Sequence, residues 1–238
     1  MSNIFQNSDS YAFPTESATA ERKLMRNVYA WMSLALAITG LTSYYVAGSQ
    51  AILSVIFSNQ FVFWGIAIAE FVLVMVLTAK INTLSFQTAG IMFAAYSILN
   101  GVLLSSIFVV YTSESIATTF FISAGMFAAM AIIGSTTKKD LSGIGRFAIM
   151  AVIGLIIASV VNIFLKSSTL EFIVSIIGVI VFAALTAYDA QKIKTMLHEY
   201  GTDVNETSQK IALLGSLSLY LDFINMFLYL LRLFGRRN

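Results

Sequence analysis

The chain has 238 residues, 58% of them hydrophobic and only 11% charged, with a mean hydropathy of +0.84. Soluble domains carry about 25% charged residues, and a particle this small could not hide so much apolar surface from water, so lipid must be part of its solvent. A net charge of +2 with no basic surface argues against a nucleic-acid partner, and the absence of cysteine excludes disulfides, thiolate metal sites and cysteine nucleophiles.

Residues 1–21 are polar and hold the single proline. They are expected to be a flexible cytoplasmic tail rather than a signal peptide, because no apolar core follows a basic start. Residues 22–238 then form one transmembrane domain. Seven apolar runs follow, at roughly 27–47, 61–79, 87–111, 115–134, 147–165, 171–194 and 210–233. Each is near the ~20 residues that a bilayer needs as helix. Strict alternation of the barrel kind is absent, and only helices and closed barrels satisfy the backbone in lipid, so the fold class is all-α and polytopic. The short run 51–58, AILSVIFS, cannot span and reads as an interfacial piece or a preface to the second helix. Of the 14 Lys and Arg, ten fall on the side of the N-terminus and four on the other, which predicts a cytoplasmic N-terminus. If the last segment crosses fully, the C-terminus lies opposite; if it is re-entrant, it returns.

Several carboxylates stand where lipid penalises them by several kcal/mol. Glu70 sits in the middle of the second span, Asp189 near the cytoplasmic end of the sixth, and Asp222 a third to halfway along the seventh. Gly215, Ser218, Asp222 and Asn225 repeat at helical spacing on one face, as do Gly178, Thr186 and Asp189. Small and polar stripes on apolar helices face protein rather than lipid. Counting from helix ends near Leu197 and Gln209, Asp189 and Asp222 lie ~12 and ~19 Å deep at ~1.5 Å per residue, so the two acids can meet. Two buried carboxylates in contact cannot easily both ionise and would share one proton. With the proton they hold two helices together; without it they repel and attract a hard cation such as Ca²⁺. Asp189 could instead pair with Lys192, and Asn100, Asn162 and Asn225 read most simply as interhelical hydrogen-bonding groups. His198 is expected in a solvated loop. No phosphate loop, paired metal-binding histidines or hydrolase nucleophile motif is present, so no enzyme activity or cofactor is expected.

Four segments carry a resemblance to a known family: KKDLS (138–142), VNIF (161–164), TAYDAQKIK (186–194) and LSLYLDFINMFLYLLRLFG (217–235). From about residue 22 to 237 the chain resembles bacterial members of the Bax inhibitor-one, or transmembrane Bax inhibitor motif, family. The resemblance implies seven helices with the seventh central, and a pH-sensitive Ca²⁺ leak in the bacterial inner membrane. It implies Asp189 and Asp222 as pH sensor, ion gate and Ca²⁺ ligands, with Glu70 matching a family acid by position. Where the family carries an arginine latch at the end of the second helix, this chain offers Lys80. Ion-path or latch candidates are therefore Glu70, Lys80 and Asn225. The expected partners are the bilayer, protons, Ca²⁺ and other membrane proteins. A proton-coupled cation transporter and a non-conducting regulator of membrane proteins are the alternatives.

Overall fold

The computed structural model describes residues 14–200 and 204–238, and these are helical nearly throughout. Helix α1 is Pro14–Ala47, α2 Gln50–Ser58, α3 Gln60–Lys80, α4 Phe86–Leu104 and α5 Ser106–Val110; α6 is Ser113–Thr136, α7 Ser142–Leu165, α8 Ser168–Tyr200 and α9 Glu206–Phe234. Seven segments are long and apolar enough to cross a membrane, α4 and α5 together making one of them. The expected all-α, seven-span architecture is therefore present. The tail expected over 1–21 is helical from Pro14 onward, and residues 1–13 lie outside the described residues.

Polar residues set the helix starts. Ser85 accepts from Thr88 N, Thr112 from Ser115 N, and Asn205 and Ser208 form a reciprocal capping box at the start of α9. The run at 51–58 is α2, a short helix capped by Ser49 that packs on α1 and α3. The third span breaks at Ser105, whose hydroxyl bonds back to Val102 O.

Burial is concentrated in the last two helices. Two thirds of the most apolar window of α9 is buried (67%), against 6% for α3 and 11% for α7. α9 packs on α1, α4, α6 and α8, while α7 packs on α8, and α3 on α2 and α4. Aromatic edges line the α9 seams: Phe223 meets Phe120 and Phe127, and Tyr220 meets Phe93 and Tyr96. Tyr220 Oη also hydrogen-bonds Thr39 Oγ1 at 2.7 Å, and Thr39 donates to Ser97 O.

The two ends of the bundle are tied differently. At the end bearing the N-terminal helix, Glu206 accepts from Phe86 N, and His198 meets Glu21 at 3.1 Å. His198 is thus in the last turns of α8, not in a loop, because the helix continues past its apolar run; its side chain is exposed while the neighbouring Leu197 is buried. At the opposite end, residues 236–238 lie against the α5–α6 connection. Arg236 N donates to Ser115 Oγ, Asn238 N donates to Val110 O, Tyr111 and Arg237 form a bridge, and Arg237 pairs with Glu171. α9 therefore runs the full width of the bundle and is not re-entrant.

Candidate functional site

Each residue of TAYDAQKIK has an assignable task on α8. Thr186 Oγ1 donates to Phe182 O and so hides its hydroxyl inside the helix. Ala187 lies so close to Gly134 of α6 that a Cβ on the glycine would strike its carbonyl. The Tyr188 ring covers Gly145 of α7 in the same manner. Ala190 is fully buried, and Ile193 fills the space over Gly215 of α9. Lys194 Nζ donates to Ser135 O, while Gln191 accepts from Leu141 N and donates to Lys139 O. The motif thereby holds α6, α7 and α9 against α8 and turns Asp189, with Lys192 and the Tyr188 ring, toward a cavity.

That cavity holds about 500 Å³ and lies between α7, α8 and α9. Its polar lining is Asp189 and Lys192 from α8 with Ser218, Asp222 and Asn225 from α9. Both small-polar stripes read from the sequence thus face the α8–α9 seam, where Gly178 also receives the Tyr229 ring. Asp222 is only 5% exposed, and its Oδ2 has no hydrogen-bond donor among the described residues. Asp189 is half-buried and lines the same cavity as Asp222. Asn225 spends its Nδ2 on Leu221 O.

Lys192 does not pair directly with Asp189 among the described ion pairs; its Nζ stands over the Tyr188 ring, 5.8 Å from the centroid. Lys80 is exposed at the end of α3, a helix packed on α2 and α4, so the Lys80 latch onto the aspartates is not formed in this structure. Glu70 points elsewhere too: its Oε1 accepts from Asn100 Nδ2 at 2.5 Å on α4. Asn100 Oδ1 is buried without a donor there. Among the described residues no group of three or more His, Cys, Asp or Glu could hold a metal ion. A cation at the aspartates would therefore draw further oxygens from Ser218, Asn225 or water, as Ca²⁺ takes 6–8 oxygen ligands. The residue that sequence reasoning passed over is Gln191, whose partners Leu141 N and Lys139 O lie about fifty residues away and leave no signal in its own segment.

The family described as "Inhibitor of apoptosis-promoting Bax1" matches residues 21–238. The inner membrane protein YbhL of Escherichia coli K12 is 47% identical over 233 residues, covering 98% of both chains. An uncharacterized protein of Borreliella burgdorferi is 44% identical over 217 residues, 91% of this chain and 93% of that one. An uncharacterized membrane protein of Streptococcus pyogenes serotype M6 is 34% identical over 228 residues, 94% of this chain and 97% of its own.

Proposed function

The chain belongs to the Bax inhibitor-one family and is a bacterial inner-membrane protein, and from that premise we propose that it is a pH-sensitive Ca²⁺ leak channel gated by Asp189 and Asp222. The observation that carries the reading is the buried Asp222 oxygen without a donor, lining one cavity with a second carboxylate inside the membrane span. A shared proton would supply the missing donor and fasten α9 to α8. Loss of that proton leaves two like charges on the walls of one cavity in a poorly solvated place, which drives the helices apart and makes a cation welcome. Ca²⁺ is the cargo, met by carboxylate, amide and hydroxyl oxygens. The N-terminus is cytoplasmic in this reading, since the Lys and Arg bias lies on its side.

Purified protein in liposomes loaded with a calcium dye tests the proposal. A passive leak that changes with pH in the wild type and loses that dependence in Asp222→Asn is the expected result. Flux that requires and dissipates a proton gradient would make the protein a coupled transporter. A folded sample without flux would make it a non-conducting regulator.

A further inference from the structure

Glu70 is an acid that the aspartate site does not use. At ~1.5 Å per residue it stands ~15 Å from either end of α3, at the middle of a ~30 Å hydrocarbon layer. α3 is the least buried of the seven spans and packs on α2 and α4. Ile68, Phe71 and Val72 beside Glu70 are exposed, and Glu70 itself is half-buried against α4. No cation answers a charge at this place. α2 carries no titratable side chain, α4 carries only Tyr96, and the one base on α3 is Lys80 at its far end. Tyr220 of α9 reaches Tyr96 by ring contact and commits its hydroxyl to Thr39. None of the described ion pairs includes Glu70. An ionised carboxyl at that depth, without a partner of opposite charge, is costly.

What Glu70 does have is Asn100. A carboxylic acid and a primary amide pair through two hydrogen bonds: the amide N–H donates to one acid oxygen, and the acid O–H donates to the amide oxygen. The first bond is present, from Asn100 Nδ2 to Glu70 Oε1. The acceptor of the second, Asn100 Oδ1, is buried and has no donor among the described residues. An ionised Glu70 cannot fill it, because a carboxylate only accepts. Turning the amide over leaves the same requirement: Oδ1 would then face the carboxyl oxygen, and two acceptors come together only with a proton between them. Both orientations call for one proton on Glu70.

We propose that Glu70 and Asn100 form a second proton-binding site of this protein, an acid–amide pair separate from the aspartates and reached from the bilayer. The neutral pair fastens α3 to α4, and it does so independently of any leak. The aspartate cavity offers Lys192, Ser218 and Asn225 to a released charge. Glu70 has no cation, so it keeps its proton as pH rises through the range in which the aspartates lose theirs. A protonated acid reached from lipid is also the group that lipid-soluble carbodiimides modify. The carboxyl proton passes to a carbodiimide nitrogen and the carboxylate oxygen bonds to the central carbon. The acyl group then shifts from oxygen to nitrogen, which leaves a stable N-acylurea with no group lost.

Wild-type protein in phosphatidylcholine vesicles, treated near neutral pH with dicyclohexylcarbodiimide and digested for mass spectrometry, tests the site. The α3 peptide should gain one whole reagent molecule on Glu70, and a cationic, water-soluble carbodiimide should label it several-fold less. A Glu70 that stays unlabelled, or that both reagents label alike, overturns the proposal. Thermal melting tests the amide half. Glu70→Gln offers Asn100 the same acceptor and an N–H in place of the O–H, so it should melt with the wild type, and Asn100→Leu should melt lower. If Glu70 is ionised, Glu70→Gln removes an unpaired charge and melts clearly higher. If Glu70 holds a metal cation, Glu70→Gln melts clearly lower and the wild-type melting temperature rises with sodium or calcium. Either of those shifts, or an Asn100→Leu protein that melts with the wild type, overturns the proposal.

Discussion

Gly134→Ala is the sharpest test of how α8 is held. The added Cβ would strike the Ala187 carbonyl oxygen and lie 2.7 and 2.8 Å from the Ala187 carbonyl carbon and Cα. Carbon atoms in comfortable contact stand ~3.5–4.0 Å apart. The obstacle is backbone, so no rotamer relieves it and α6 must withdraw from α8 by about 1 Å. Overpacking of this kind costs ~1–3 kcal/mol, and the rigid obstacle places this case near the upper end. At ~2–4 °C per kcal/mol for a chain of this length, the melting temperature in detergent should fall by about 6–10 °C. Gly125→Ala on the same helix meets nothing within 4 Å and serves as the control, with a shift of zero or a slight gain. Asp189 lies two residues beyond Ala187, so the pH response of the proposed leak should be disturbed in Gly134→Ala and intact in Gly125→Ala. A Gly134→Ala protein that melts with the wild type would show that α6 and α8 are not packed this closely, and the account of the α8 motif would be wrong.

Asp189→Asn and Asp222→Asn should each remove most of the pH dependence of Ca²⁺ leak from liposomes, and the double variant should add little to either; additive effects would mean that the two residues titrate separately. Gln191→Ala leaves Leu141 N and Lys139 O without their partner, at about 1 kcal/mol, and should speed hydrogen exchange at Leu141 roughly fivefold. Unchanged exchange there would show that Gln191 does not anchor the α6–α7 loop. The hydroxyl and amide of Ser142 hold the Asp140 carboxyl below its ordinary 3.8. A carboxyl with a depressed folded-state value stabilises the loop above its ordinary value and loses that contribution as pH falls through the folded one. An NMR titration should find Asp140 below 3.8 in the wild type and higher in Ser142→Ala; equal values would remove the contact.

The spans were legible because bilayer thickness imposes a length on apolar runs, and all seven coincide with helices. Their ends were less so. Hydropathy marks where lipid stops and not where the helix stops, so α8 continues to Tyr200 and α7 begins at Ser142, outside the apolar windows. The caps Ser85, Thr112 and Asn205 are residue types that favour N-caps, but their polar segments alone did not single them out. Helical spacing placed Asp222, Ser218 and Asn225 on one face, and they line one cavity. Spacing within a helix does not say which helices are neighbours, so it could not show that α3, which carries Glu70 and Lys80, packs on α2 and α4. Gln191 went unnoticed because its partners are backbone atoms about fifty residues away, and the sequence of a loop does not reveal where its N–H groups point.

The shared proton is the central claim, and infrared titration of the reconstituted protein reaches it directly. One protonated carboxyl band per molecule should disappear with rising pH as the proposed leak changes, and should be missing from both Asp189→Asn and Asp222→Asn. A band that survives in either variant, or two carboxyls titrating independently, would contradict it.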